Sequence, residues 1–346
     1  DTIGFTAPSF GCTTEPYATK FRNGCSRIES MGCRTKAGKT VFMNDGKGIS
    51  SSPLTCAREL EEFYCSDRYR AIISAGGGEM MCETAGLVDF EKICNAGAKW
   101  YCGYSDNTNF IHPLVTMAHV KAIYGPCISG FGKFWEQSES DTWEILTGKR
   151  NHVEGYQLFQ LPENDTDDGS PDAKFNLTEK KTLKSFVPDE NAPGKLREAG
   201  SAEKIEAEGI LLGGCLDVLA NICGTRLDKT TDFTREALRD GKRIIWVLEG
   251  CDGNPMEMRR QVWHLKNCGW FDTASGFLVG RPLASFRQEM MGVDQYNAYT
   301  DILGELNVPV ICDCDIGHID PAMPLVMGAF SRARILSNSL RIEFQL

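Results

Sequence analysis

Apolar residues recur along this chain in two rhythms, short unbroken runs and stripes spaced three or four apart, and the two alternate. The runs at residues 2–7, 71–75 and 100–104 read as buried strands. Shorter strands are expected at 33–35 and at 40–42. The stripes at 17–23, 54–65 (Leu54, Ala57, Leu60, Tyr64), 87–94 and 110–118 (Phe110, Ile111, Leu114, Val115, Ala118) read as helices. Strand and helix in alternation mean parallel pairing with right-handed crossovers, an α/β architecture.

The same alternation resumes at Glu208. Strands are expected at 209–212, 243–248, 276–279 and 308–311, with helices at 216–222, 256–268 and 296–306 between them. Two further strands, 333–336 and 340–344, close the chain. Residues 136–205 differ in character: 163–172 is acidic and rich in turn formers, and reads as a connection with a loop insertion. It resembles a calcium loop starting at Asn164 only superficially, because position 12 of such a loop is Phe175 rather than Glu. Two sequons, at Asn164 and Asn176, read as chance matches in a cytoplasmic chain. The domains expected are therefore 1–135, a connection at 136–205, and 206–346.

Composition narrows the function. At 346 residues the chain can bury two cores. No apolar run approaches the roughly 18 residues of a membrane span. A net charge of −10 speaks against nucleic acid and anionic membranes as partners. The fifteen cysteines include no CxxC pair, and the tightest spacing is Cys312-Asp-Cys314. We read them as small buried residues in a reducing, cytoplasmic setting, with no metal site and no cofactor expected.

The chemistry sits where strands end. Ser105 follows the strand at 100–104 and precedes a helix, so it is held on a tight turn at a helix N-terminus, the setting of an α/β-hydrolase nucleophile. The GxSxG pattern fails because position 107 is Asn, and a plain helix-capping serine is the alternative. Gly76-Gly77-Gly78 ends another strand. It is either a turn or a place where backbone N–H groups approach a ligand. It is neither a dinucleotide fingerprint, since position 81 is Met, nor a phosphate loop. Glu249 ends the apolar run 243–248, where a carboxylate wants a partner. Of five histidines, His112 and His119 lie on the helix after Ser105, His152 in the connection and His264 inside the 256–268 helix. Only His318 stands in glycine-rich sequence beyond a strand. Ser105, His318 and Glu249 together supply a nucleophile, a base and an orienting carboxylate.

In order along the chain, GFTAPS, the GGG run, GYSDNTNF, LLGGCLDVLANICGT, WVLEGCDGNP and GHIDPAMPLVMGA resemble the motifs of the LD-carboxypeptidases, serine peptidases that include the microcin C self-immunity enzymes. The resemblance implies an N-terminal doubly wound domain, Rossmann- or flavodoxin-like, and a C-terminal β-rich α/β domain. It implies a Ser-His-Glu triad of Ser105, His318 and Glu249, and an oxyanion hole from the N–H groups of Gly78 and Asp106. It further implies a homodimer without metal. The substrate is expected to be a small peptide, the murein tetrapeptide that loses its terminal D-Ala in peptidoglycan recycling. A peptidyl-nucleotide antibiotic is the alternative, which the length and the 136–205 segment favour. A catalytically silent binding module of the same fold is the third reading. Arg281 is a candidate for the substrate carboxylate, Gly77 for substrate contact and Trp143 for stacking on a nucleobase. The family's GGN motif reads Gly213-Gly214-Cys215 here, so the Asn side chain is lost.

Overall fold

The computed structural model describes residues 1–165 and 168–346; Thr166 of the first sequon and Asp167 of the acidic stretch lie outside them. The chain forms two compact units. The first comprises residues 1–150, 165–175 and 324–326, and the second 151–164, 176–323 and 327–346. The 136–205 segment thus divides between both.

The first unit contains β1 (Thr2–Thr6), α1 (Tyr17–Ser30), β2 (Arg34–Ala37), α2 (Pro53–Cys65), β3 (Ala71–Ser74), α3 (Met81–Ala85), α4 (Phe90–Asn95), β4 (Trp100–Gly103), α5 (Thr108–Thr116), β5 (Ala122–Tyr124) and α6 (Gln137–Leu146). The second runs through β6 (His152–Glu154), β7 (Leu158–Phe159), β8 (Glu179–Lys180), β9 (Lys184–Pro188), β10 (Leu196–Glu198), β11 (Lys204–Cys215), α7 (Leu216–Ile222), α8 (Thr230–Arg239), β12 (Ile244–Glu249), α9 (Pro255–Asn267), β13 (Ala274–Gly280), β14 (Glu289–Met290), β15 (Val293–Asp294), α10 (Asn297–Leu303) and β16 (Val310–Cys314). The last strands are β17 (Leu325–Met327), β18 (Phe330–Leu336) and β19 (Ser339–Phe344).

The first sheet has the order β17-β5-β4-β3-β1-β2. Its β1 to β5 ladders are parallel, with Thr6 opposite Ser74, Ile73 opposite Cys102 and Cys102 opposite Ile123. Read from β2, this is the flavodoxin-like order 2-1-3-4-5, whose strand order reverses between β1 and β3. Ligands of such sheets bind beyond the carboxyl ends of the strands, where Ser9, Gly76–Gly78 and Ser105 lie. Residues 40–42, expected as a strand, form a 3₁₀ turn instead. Its Thr40 is held there by Glu59: the backbone N–H and the hydroxyl of Thr40 both donate to that carboxylate.

The second sheet is mixed, in the order β10-β9-β16-β13-β12-β11-β18-β19-β6. Its centre, β11 to β13 and β16, is parallel. β11 changes character along its length. Ile205 and Ala207 point inward between exposed Lys204, Glu206 and Glu208, opposite antiparallel β18; Gly209 to Cys215 is buried on both faces beside β12. Such two-face burial requires a near-continuous apolar run. Among the described residues no helix is long and apolar enough to cross a membrane.

Candidate active site

Ser105 sits directly after β4 with φ of +61°, in the left-handed region that non-glycine residues avoid. Such strain of about 1–3 kcal/mol persists only when surrounding structure imposes it. Here the surroundings are explicit. The Ser105 N–H donates to the Tyr124 hydroxyl at 3.1 Å. Asn107, fully buried, donates from Nδ2 to the carbonyls of Gly76 (3.1 Å) and Tyr104 (3.0 Å), and its Oδ1 accepts the Tyr101 hydroxyl at 2.6 Å. One side chain therefore joins β4, the serine turn and the glycine run after β3. A side chain at Gly103 would strike Asn107, its Cβ only 2.8 Å from Cγ.

Asp106, the next residue, is buried and accepts from the Ser9 hydroxyl, the Met81 N–H (2.9 Å) and Asn109 Nδ2 (2.8 Å). Burial pushes its carboxyl above the usual range, against the pull of these three donors. Gly77 lies against Ser105: a Cβ on it would be 3.4 Å from Ser105 Oγ. Gly78 has φ of +143°, and a Cβ there would be 2.3 Å from Ser9 Oγ. Gly77 thus lets the backbone pass close to the serine turn, and Gly78 lets it pass close to Ser9.

In the second unit Glu249 ends β12, fully buried, and its Oε2 lies 3.0 Å from His318 Nδ1. A carboxylate cannot donate, so Nδ1 carries a proton, and in the neutral ring Nε2 bears the lone pair. Two glycines make room. A Cβ on Gly317 (φ +99°) would be 2.6 Å from Glu249 Oε2, and one on Gly280 would be 3.0 Å from Glu249 Cβ. Burial of the ring disfavours the imidazolium, but Glu249, with help from the Cys251 thiol, outweighs it and holds His318 well above the ordinary imidazole value. Asp217 at the start of α7 fixes the following turn, accepting the Cys251 N–H at 2.9 Å and Gln261 Nε2 at 2.9 Å.

The structure also places the expected substrate contacts Arg281 and Trp143, and the departing Cys215. Arg281 is 1% exposed, 2.8 Å from Asp315, with Nη1 donating to the Asp313 carbonyl and the guanidinium 4.3 Å from the Phe159 ring centroid. Its charge is neutralised inside the second unit, because a buried cation needs a counter-ion. Trp143 lies in the first unit, its ring 5.7 Å from that of Trp135. Cys215, in place of the motif's Asn, is a buried thiol that burial keeps protonated. Asn107, Ser9 and Asp217 were not singled out from the sequence. Their signal was their place beside the motifs, but only the tertiary structure shows what they hold.

A flavodoxin-like sheet with a strained serine turn, and a mixed sheet with a half-buried histidine paired to a buried glutamate, define a two-unit α/β peptidase fold. Residues 3–125 match the LD-carboxypeptidase N-terminal domain and residues 208–332 its C-terminal domain, so the chain belongs to the LD-carboxypeptidase family. It is 24% identical over 339 residues to the microcin C7 self-immunity protein MccF of Escherichia coli, covering 95% of this chain and 89% of that one. The solved structure of MccF in an inactive mutant apo state superposes with a TM-score of 0.77 at 21% identity, over 100% of this chain and 96% of that one. An MccF-like protein of Streptococcus pneumoniae, solved with AMP, gives 0.73 at 20% identity, over 100% of this chain and 98% of that one.

Proposed function

We propose that the protein is a serine peptidase that cleaves the amide of aminoacyl-nucleotide conjugates by acyl transfer. The observation that carries acyl transfer is the strained Ser105 turn together with the oriented His318–Glu249 pair. Ser105 Oγ attacks the substrate carbonyl carbon while His318 Nε2 takes its proton. Glu249 holds the Nδ1 proton and stabilises the imidazolium. The N–H groups of Gly78 and Asp106 receive the oxyanion, each donor being worth about 10²–10³ in rate. Collapse breaks the C–N bond, and His318 returns its proton to the leaving amine. A water, deprotonated by the same base, then hydrolyses the acyl-enzyme.

The substrate class is supported by the relative that spans nearly the whole chain, which is a microcin self-immunity protein, and by the solved complex of that protein with aspartyl sulfamoyl adenosine, a chain of the same fold. A second reading, removal of the terminal D-Ala from murein tetrapeptides, is supported by the family's description as LD-carboxypeptidases. Incubation of the wild type and Ser105→Ala with aspartyl sulfamoyl adenosine and with L-Ala-D-Glu-diaminopimelate-D-Ala, followed by mass spectrometry, separates them. Release of aspartate by the wild type alone is the expected result. Loss of D-Ala without cleavage of the conjugate transfers the protein to murein recycling. Cleavage of neither removes the proposal.

A further inference from the structure

The C-terminal ends of α7 and α9 meet in the second unit, and they carry none of the residues assigned above to acyl transfer. Cys223 follows α7, its N–H donating to the Leu219 carbonyl. His264 lies in the last turn of α9, and Cys268 caps that helix with its N–H on the His264 carbonyl at 3.0 Å. Four residues apart, His264 and Cys268 share one helix face. One donor atom from each of Cys223, His264 and Cys268 lies within 4.8 Å of both others.

That spacing is close to what a tetrahedral zinc ion imposes. Zn–S bonds of about 2.3 Å and Zn–N bonds of about 2.0–2.1 Å at tetrahedral angles separate the donors by roughly 3.5–3.8 Å. The electrostatics agree. Two thiolates and a neutral imidazole around a divalent cation leave the site uncharged, and two helix C-termini present carbonyl dipoles that favour a cation. The Asp228 carboxylate, which interacts with Cys223, is itself fixed by the Gly224 N–H (2.9 Å) and the Trp270 indole N–H (3.2 Å). None of the fifteen cysteines is joined in a disulfide, Cys223 and Cys268 included.

We propose that Cys223, His264 and Cys268 form a site for one thiophilic divalent cation, zinc foremost, with solvent as the fourth ligand on the exposed side. Binding replaces one proton on each thiol with the metal and releases both protons to solvent. The CxxC spacings of a sequence reading miss such a site because two ligands lie on one helix and the third on another.

The test is cobalt and zinc titration of the full-length protein, purified under reducing conditions and stripped with chelator. The expected result is one cobalt per chain with thiolate-to-cobalt charge-transfer absorption, displaced by zinc. Cys223→Ala and Cys268→Ala weaken zinc binding by at least about 10²-fold, more than the loss of an outer partner costs. His264→Gln alters an exposed position, leaves the fold intact, and is expected to weaken binding and shift the cobalt spectrum. Absence of charge-transfer absorption overturns the proposal, as does zinc affinity unchanged in all three variants. So does an intact mass, without reductant, showing a Cys223–Cys268 disulfide in a protein that binds no metal after reduction.

Discussion

The two halves of the proposed machinery are held by opposite means. Ser105 is positioned by its backbone: a left-handed φ, a glycine run that passes beside it, and a buried Asn107 that ties three segments together. His318 is positioned by its side chain. A fully buried carboxylate lies 3.0 Å from one ring nitrogen, and two glycines are cleared to admit it. A nucleophile must be in one place, which strain and hydrogen bonds specify. A base must also have one protonation state, which only a charged partner in a dry setting specifies. The two regions should therefore fail differently.

The largest effect is expected from Ser105→Ala, with turnover of the conjugate falling by roughly 10⁶-fold. If the halves are independently built, the His318 ring followed by NMR still titrates above the ordinary imidazole value in this variant. A ring that returns to that value would show that the serine turn sets the base.

Glu249→Gln keeps the shape and removes the charge. A loss of about 10⁴-fold in kcat is expected, the scale of replacing the triad carboxylate by its amide. The pH profile tells more. With His318 held above its usual value, the acid limb of kcat/KM lies above the ordinary imidazole value of about 6.5, and activity rises as pH rises through the raised value. In Glu249→Gln the main attraction opposing burial is lost, only the weaker help of Cys251 remains, and the limb moves down. Stability follows the opposite sign. The protonated pair stabilises the fold fully below about pH 6.5 and loses that contribution as pH rises through the raised folded value. Urea unfolding across pH should show this slope in the wild type and a flatter one in the variant.

Asn107→Ala removes the tie of the serine turn. It takes the Oδ1 acceptor from the Tyr101 hydroxyl and one of two donors from each of the Gly76 and Tyr104 carbonyls, which keep the Ser74 hydroxyl and the residue 107 N–H, a cost of about 1–3 kcal/mol. A smaller loss of activity than in Ser105→Ala is expected, with the acid limb unmoved; a shifted limb would break the distinction between the halves. The smallest expected difference is one of stability: Ser105→Gly, inactive like Ser105→Ala, is about 1 kcal/mol more stable than it, because glycine relieves the left-handed φ. Equal melting of the two would argue that the turn stores no strain.

Much of this was legible in the chain. The run ending at Glu249 and the run before Ser105 are buried on both faces, and such strands announce themselves as unbroken apolar stretches. The outer half of β11 was not seen, because Lys204 to Glu208 alternates and half its residues face solvent. Helix α8 was also missed; its apolar side is only Phe233 and Ala237 among charged neighbours. Residues 40–42 look like a strand, yet the Glu59 carboxylate curls them into a 3₁₀ turn. Arg281 stands at a strand end as a substrate cation would, but Asp315, just beyond the end of β16, claims it.

The sequence by itself determined the α/β class, the strand ends that carry Ser105, Glu249 and His318, and membership of a peptidase family, because burial periodicity and motif order are local properties of the chain. Only the tertiary structure decided the left-handed serine, the Asn107 tie, the fate of Arg281 and the meeting of Cys223 with His264 and Cys268. Each of those depends on groups far apart in sequence whose distance and desolvation exist only once the sheets have formed.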